Sequence, residues 1–341
     1  MRLFSSKGDL MKSVLGMLAF LFIFAGCTKS KPEFWIYTSF YKETIAELEG
    51  PMQKLLPHVQ VKWFQGGSET VATKLNAELL AGKPKADLLM TSDPFWYEEL
   101  KNTGKLEPYR GADSYVPDQF RDPKQNYSTI KLSGVLMGYN SKIVDAGKAP
   151  RTWLDLLKPE WKGKIAMGSP LESGTTFTTV ALLSKKYGWD FFKKLREQNV
   201  LSSGGNSTVM NRIETGERPI GILLLENILV AQAKGSSVRP IYPVDGVVPI
   251  ISPIAIMKGT AHLKEAQAAY DWFFGGKVQD ALVRGGMYSF RPESGTPERA
   301  LPIAKAFPGA GDIIPWSAQV LQELFTQRNL IKAKFTEMVL R

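Results

Sequence analysis

Short apolar runs alternate along most of this chain with longer stretches in which apolar residues recur every three or four positions. The first pattern marks buried strands; the second marks helices with one face in a core. Residues 33–38 read as a strand, followed by a helix over 42–56. After a strand at 60–64, Gly66-Gly67-Ser68 opens a helix with Val71, Leu75 and Leu79 on one face. That helix is expected to stop at Gly82, before Pro84. Residues 86–91 form the next buried strand, and Asp93-Pro94 starts a helix ending near Gly104. Further strands are expected at 134–140, 164–167, 200–201, 220–224, 238–242 and 253–257, and late helices over 261–274 and 316–338. Strand followed by helix, repeated, predicts an α/β fold.

One junction recurs, in which a strand runs through a loop of hydroxyls or glycines into a helix. It occurs at Thr38-Ser39, Gly66-Gly67-Ser68, Thr91-Ser92-Asp93, Ser173-Gly174-Thr175-Thr176 and Gly204-Gly205-Asn206-Ser207. In open α/β sheets the carboxyl ends of the strands line the ligand crevice. A helix N-terminus there offers unpaired N–H groups and the positive end of the macrodipole, which suit an anion. Any one such loop can equally serve only as the cap of its own helix. Five in one chain point to a shared cleft.

The start of the chain follows a different pattern. Arg2, Lys7 and Lys12 precede an unbroken apolar run from Val14 to Ala25, which is the layout of a secretory signal. The run is too short to cross a bilayer core, which takes about 20 residues of helix. Met11-Lys12 followed by the same run would also be a complete signal, so Met1 and Met11 are both possible starts. The run ends in Phe24-Ala25-Gly26-Cys27, which resembles the bacterial lipobox, although Phe24 replaces the usual aliphatic residue. The resemblance implies that Cys27 is acylated and holds the protein on a lipid bilayer. Residues 1–27 are then a lipoprotein signal with its lipidated cysteine, and 28–32 a polar tether.

Cys27 is the only cysteine, so the fold has no disulfide to rest on. Residues 28–341 exceed the size at which one hydrophobic core stops growing, which predicts two lobes. The formal charge of +10 has three class readings: nucleic acid, an anionic membrane or an anionic small ligand. The basic residues form no block, and a secreted lipoprotein does not meet nucleic acid. That leaves the small anion, or a merely solvated surface. No nucleophile stands beside a base in a Gly-x-Ser-x-Gly elbow, and Cys and His show no metal-ligand spacing. An enzyme, a metal site and a cofactor are therefore not expected.

Several segments together resemble bacterial family 1 extracellular solute-binding proteins, in the branch holding ferric-iron, thiamine and organophosphate receptors. They are Gly67-Ser68-Glu69 running on to Leu79 and Asp87, Gly104-Lys105-Leu106-Glu107-Pro108-Tyr109, and Pro150-Arg151-Thr152-Trp153-Leu154-Asp155-Leu156-Leu157 continuing to Trp161-Lys162-Gly163-Lys164-Ile165. Tyr242-Pro243-Val244-Asp245-Gly246 and Gln279 complete the set. The resemblance implies a periplasmic-binding-protein type II fold, with two α/β lobes joined by hinge strands and the ligand cleft between them. We expect residues 33–135 plus 250–300 in lobe 1 and 136–249 plus 301–341 in lobe 2, with crossings near 133–140 and 250–257. The implied role is that of a monomeric binding component, periplasmic or at the cell surface, feeding an ABC permease in the inner membrane. A sensor feeding a signalling kinase is the alternative.

Iron receptors of the family use two adjacent tyrosines after the strand equivalent to residues 220–224. Here that place reads Leu223-Leu224-Leu225-Glu226-Asn227, and no two tyrosines are adjacent anywhere in the chain. His58 and His262 lie outside the glycine loops. The expected ligand is an organophosphate such as a sugar phosphate or an aminoalkylphosphonate; ferric iron and thiamine remain alternatives. The expected ligand-binding residues are Ser39, Gly67, Ser68, Ser92, Asp93, Ser173, Gly174, Thr175, Thr176, Asn206, Ser207, Glu226 and Arg291. The hydroxyls would meet phosphate oxygens, Glu226 a hydroxyl or amine, and Arg291 a phosphate edge.

Overall fold

The computed structural model describes residues 30–307 and 316–340. The signal segment, Cys27 and the first part of the tether lie outside the described residues. The chain divides into Met1–Pro32 and Glu33–Arg341, and the fold below is that of the second unit. Among the described residues no helix is long and apolar enough to cross a membrane.

Ten strands form one sheet: β1 (Glu33–Thr38), β2 (Gln60–Gln65), β3 (Leu88–Met90), β4 (Leu106–Glu107), β5 (Ser128–Asn140), β6 (Ile165–Met167), β7 (Leu201–Ser202), β8 (Ile220–Leu224), β9 (Val238–Ile241) and β10 (Val248–Met257). The main path runs β2-β1-β3-β10-β5-β8-β6-β7, with β4 on β10 and β9 on β5. Parallel strands make up each flank, β2-β1-β3 on one side and β8-β6-β7 on the other. Between the flanks, β5 and β10 pair antiparallel from Ser128↔Ile254 to Val135↔Val248. These two strands carry the chain from one half to the other. Beyond that shared stretch, β5 continues against β8 and β9, while β10 continues against β3 and β4. The crossing segments are therefore longer than the apolar runs at 134–140 and 253–257 suggest. Lys131 and Ser133 interrupt the first run, and Pro249, Ser252 and Pro253 interrupt the second.

Side-chain alternation explains why the first flank is buried on both faces. Phe34 and Ile36 of β1 and Leu88 and Met90 of β3 face α1 (Lys42–Leu55), with Ile45, Leu48 and Met52 of that helix packed on them. Tyr37 and Leu89 face the opposite way, toward α2 (Ser68–Leu80) and α3 (Pro94–Asn102). The second half is built likewise on α4 (Gly174–Tyr187), α5 (Trp189–Glu197), α6 (Asn206–Thr215) and α7 (Leu225–Ala233). From α4, Phe177, Val180, Ala181, Leu182 and Leu183 are all fully buried. After β10 the chain returns to the first half as α8 (Leu263–Phe273) and α9 (Gly276–Arg284), followed by the short α10 (Ile303–Ala306).

The tail departs from expectation in two ways. Residues 316–338 form not one helix but α11 (Ala318–Thr326) and α12 (Arg328–Phe335), with Gln327 between them and a π-turn at Thr336–Leu340. The tail also serves both halves. α11 packs on α3, with Trp316 against Phe95 at 6.0 Å, while α12 packs on α4. Placing all of 301–341 in the second lobe misses the contact with α3. Local periodicity shows that a helix has an apolar face, but not which half that face meets.

Candidate functional site

A cavity of 260 Å³ lies where the two halves meet. The helices α1, α2, α4, α6 and α7 all begin at it: Tyr41 and Thr44, Gly67 and Ser68, Ser173 to Thr175, Gly205 to Ser207, and Leu224 with Glu226 all line its wall. This follows from the strand–loop–helix order: the parallel strands of each flank end on one side, and the two flanks run in opposite directions along the β5–β10 pair, so their carboxyl ends face one another. The N-caps of α1, α2, α6 and α7 are Tyr41, Gly67, Gly205 and Leu224, and none has a side-chain cap hydrogen bond. No N-cap side chain takes their first-turn N–H groups, and each macrodipole adds the equivalent of about +0.5 charge.

The halves touch at the cavity's edge. A Cβ on Gly174 would sit 3.0 Å from the Cβ atoms of both Ser68 and Asp93. Only glycine lets the start of α4 approach the first half this closely.

The hydroxyl loops are partly committed to one another. Ser173 Oγ accepts from the Thr176 N–H and lies 2.9 Å from Thr175 Oγ1. Asn206 donates from Nδ2 to Thr175 Oγ1 at 2.8 Å and accepts the Leu224 N–H at 3.1 Å. Ser68 Oγ accepts the Ser92 N–H. Each loop thus caps or braces a neighbour while turning its remaining polar capacity to the cavity.

Charge enters from the crossing strand. Lys131, only 3% exposed, extends from β5 to the cavity. Its Nζ donates to Ser133 Oγ at 3.0 Å and lies 3.4 Å from Glu226 Oε1. Ser133 in turn donates to the same Glu226 oxygen at 3.1 Å. Glu226 Oε2, equally buried, has no hydrogen-bond partner among the described residues. A buried polar atom without a partner costs about 1–3 kcal/mol, and more when it is charged.

Of the residues expected at the site, Ser39, Gly67, Ser68, Ser92, Ser173, Gly174, Thr175, Asn206, Ser207 and Glu226 line this one cavity. Three others do not. Asp93 caps α3, accepting the Phe95 and Trp96 N–H groups, and its other oxygen takes Arg328 at 2.6 Å. Thr176 is buried one position past the cavity wall. Arg291 pairs with Glu293 at 3.4 Å and lies over the Tyr115 ring, so it does not reach the cavity. Its neighbour Tyr288 bridges to Leu132, but the chain has turned away by residue 291. Cys27 lies outside the described residues.

Lys131, Tyr41 and Gln65 line the cavity without having been foreseen. Lys131 left a legible signal, being a lone charge in a strand buried along its whole length. Tyr41 and Gln65 left none. Of the family landmarks, Gly67 and Ser68 line the cavity, while others serve the fold: Asp87 takes the Trp35 N–H, Trp153 donates to the Gly246 carbonyl, and Gln279 bonds the Ile130 and Phe273 carbonyls.

Over residues 83–308 the chain matches the model of the family described as bacterial extracellular solute-binding protein. It is similar, at 24% identity over 69% of this chain and 68% of the other, to a probable ABC transporter periplasmic-binding protein of Sinorhizobium fredii. It is also similar to an Fe(3+)-binding periplasmic protein of Serratia marcescens, at 24% identity over 80% of this chain and 83% of that one. Among solved structures, the periplasmic binding protein AfuA from Actinobacillus pleuropneumoniae, with exogenous fructose-6-phosphate bound, superposes with a TM-score of 0.76. The identity is 22%, over 91% of this chain and 99% of that one. At that identity the likeness speaks for the fold, a type II periplasmic binding protein.

Proposed function

Because the chain belongs to the bacterial extracellular solute-binding protein family, we propose that it is the receptor of an ABC importer and that it closes its lobes on a small organophosphate or phosphonate. One observation carries the ligand class: five helix N-termini and Lys131 surround a single cavity. Helix N-termini favour oxyanions through both their N–H groups and their dipoles, and a phosphate accepts several such bonds at once. Glu226 refines the choice. Its unpartnered Oε2 would take an amine or hydroxyl of the same ligand. The wall belongs to both halves, so a ligand binds the closed form better than the open one and draws the equilibrium toward it. The receptor works in the periplasm or at the cell surface, held by acylated Cys27, and presents its closed form to a permease.

Ferric iron is the second reading. Tyr41 and Glu226 both line this cavity, and a relative is named for iron. Calorimetry and thermal shift separate the two readings with inorganic phosphate, 2-aminoethylphosphonate, glycerol 3-phosphate, fructose 6-phosphate, thiamine and ferric citrate. A ligand at 100 times its Kd stabilises the fold by about 2.7 kcal/mol. Stabilisation confined to phosphorylated or phosphonate compounds supports the reading; stabilisation by iron or thiamine alone overturns it.

A further inference from the structure

Five lysines far apart in the sequence share one edge of the first half. The carboxyl ends of β1 and β3 lead to Ser39 and Ser92 at the cavity. Their amino ends lie at the opposite edge of the sheet, together with the end of β10, which runs antiparallel to β3. That far edge carries Lys83 and Lys85 before β3, Lys105 before β4, Lys258 after β10 and Lys264 in the first turn of α8. Backbone bonds tie these segments together: the Lys258 N–H donates to the Lys105 carbonyl at 2.9 Å, and the Met257 N–H to the Asp87 carbonyl at 3.0 Å. All five lysines are exposed.

The acids nearby do not neutralise them. Asp87 is buried and accepts the Trp35 N–H at 2.7 Å and the Thr260 hydroxyl. Glu33 accepts the Trp35 indole N–H at 2.9 Å, and Glu78 pairs with Lys74 at 2.8 Å. Glu107 and Glu265 are half-buried. Among the described residues none of the five lysines is in an ion pair. Lys85 lies instead over the Trp35 ring, at 5.9 Å.

We propose that this edge docks on an anionic lipid bilayer, so that the receptor stands on its first half with the cleft turned away from the headgroups. The place where the chain leaves the fold selects a bilayer as the partner. β1 starts at this same edge with Glu33, six residues after Cys27, and that much extended chain spans at most about 20 Å. The inference thus rests on the reading of Cys27 as acylated. The acyl chains hold the protein at the membrane, and the lysines decide which end it presents. Their attraction to anionic headgroups acts within a Debye length, about 10 Å at 0.1 M salt. With the first half set on the bilayer, the second half is the one that swings when the cleft closes.

The test places the acylated chain in vesicles of phosphatidylcholine alone, or of equal parts phosphatidylcholine and phosphatidylglycerol, and follows labelling of each lysine by an amine reagent with mass spectrometry. In the anionic vesicles the five lysines should label at least about three-fold more slowly, and salt should remove the difference. Lys193 and Lys194, exposed on α5 of the second half, should label equally in both. Reversing three charges, by Lys83→Glu, Lys85→Glu and Lys258→Glu together, should return Lys105 and Lys264 to their rate in neutral vesicles. The corresponding triple change to Gln should do so in part, and it serves if the reversed protein fails a thermal-unfolding check. Equal labelling in the two vesicles, or protection that survives the charge reversal, overturns the docking edge while the anchor stands. If the mass of the chain shows Cys27 without acyl groups, the anchor reading falls, and sedimentation with vesicles decides the edge separately. Binding of the Cys27→Ala chain to anionic vesicles, lost on charge reversal, then keeps the edge; no binding overturns both.

Discussion

Asp245 and Glu226 are acids of the same half of the molecule, and both are held by partners brought from far along the chain. Asp245 accepts the Trp153 N–H on both oxygens, at 3.3 and 3.1 Å, and the Tyr187 hydroxyl at 2.7 Å. Beside it, Trp153 Nε1 donates to the Gly246 carbonyl at 2.8 Å. Glu226 has Ser133 and Lys131 on one oxygen and nothing on the other. The completed set locks two loops together, while the other stands at the cavity wall with one oxygen unpaired among the described residues. Trp153, Asp245 and Gly246 belong to the segments that resemble the family, and there the resemblance reports how the fold is tied, whereas Gly67 and Ser68 of another such segment line the cavity itself.

The sharpest way to break this contrast is to remove the lock. Trp153 is fully buried, and Trp153→Ala should cost about 3–5 kcal/mol of stability in denaturant unfolding. Next comes the waiting acid. Glu226→Gln keeps the side chain's shape but loses its charge, and should weaken a donor-bearing phosphonate about ten- to hundred-fold in calorimetry. Its unfolding midpoint should fall as well, because Lys131, only 3% exposed, loses its counter-charge, but the loss of affinity sets it apart from Trp153→Ala. If Glu226→Gln unfolds the protein without changing affinity, the contrast fails. A smaller effect tests a single bond of the lock: Tyr187→Phe removes the hydroxyl donor to Asp245 and should cost about 1 kcal/mol, with ligand affinity unchanged.

The smallest effect is a pH dependence at the edge of the lock. Thr152 and Asp155 form a reciprocal cap at Trp153–Leu157. Burial opposes ionisation of Asp155, but the Lys158 ammonium and the N–H groups of Arg151 and Thr152 outweigh it and hold its pKa down to about 2. A carboxyl lowered in the fold stabilises it above its ordinary pKa, and that stability is lost as pH falls from about 4 toward 2. Asp155→Asn should flatten this part of the stability profile by no more than about 1 kcal/mol, since the group is partly solvated. An unchanged acid limb would remove Asp155 from the lock.

These contrasts also mark what could be read from residues alone. Residues 33–38 and 220–224 were legible to their ends, because apolar runs bounded by polar or glycine-rich turns leave little freedom. The hydroxyl loops were legible as a set because each follows a parallel strand, and the two flanks turn the carboxyl ends of those strands toward one another. Arg291 was misplaced because its neighbourhood is set by α9 and a 3-10 turn over Pro292–Ser294, which no local pattern reveals. Tyr41 was invisible for a related reason, as only the fold brings its hydroxyl to Asn227, far along the chain. Lys131 could have been noticed, since no solvated face exists on a strand buried throughout.

The paired crossing strands carry a mechanical consequence. Two separate connectors would let the halves swing and twist about several axes, but β5 and β10 are bonded edge to edge and form a ribbon. A ribbon bends readily across its flat face and resists shear in its plane. This ribbon is also creased: its register shifts between Ser252 and Pro253, where proline offers no N–H to the ladder. A creased ribbon folds repeatedly along the same line, so the five helix ends would return to the same spacing at each stroke, in the way a hinge pin keeps a door true to its frame.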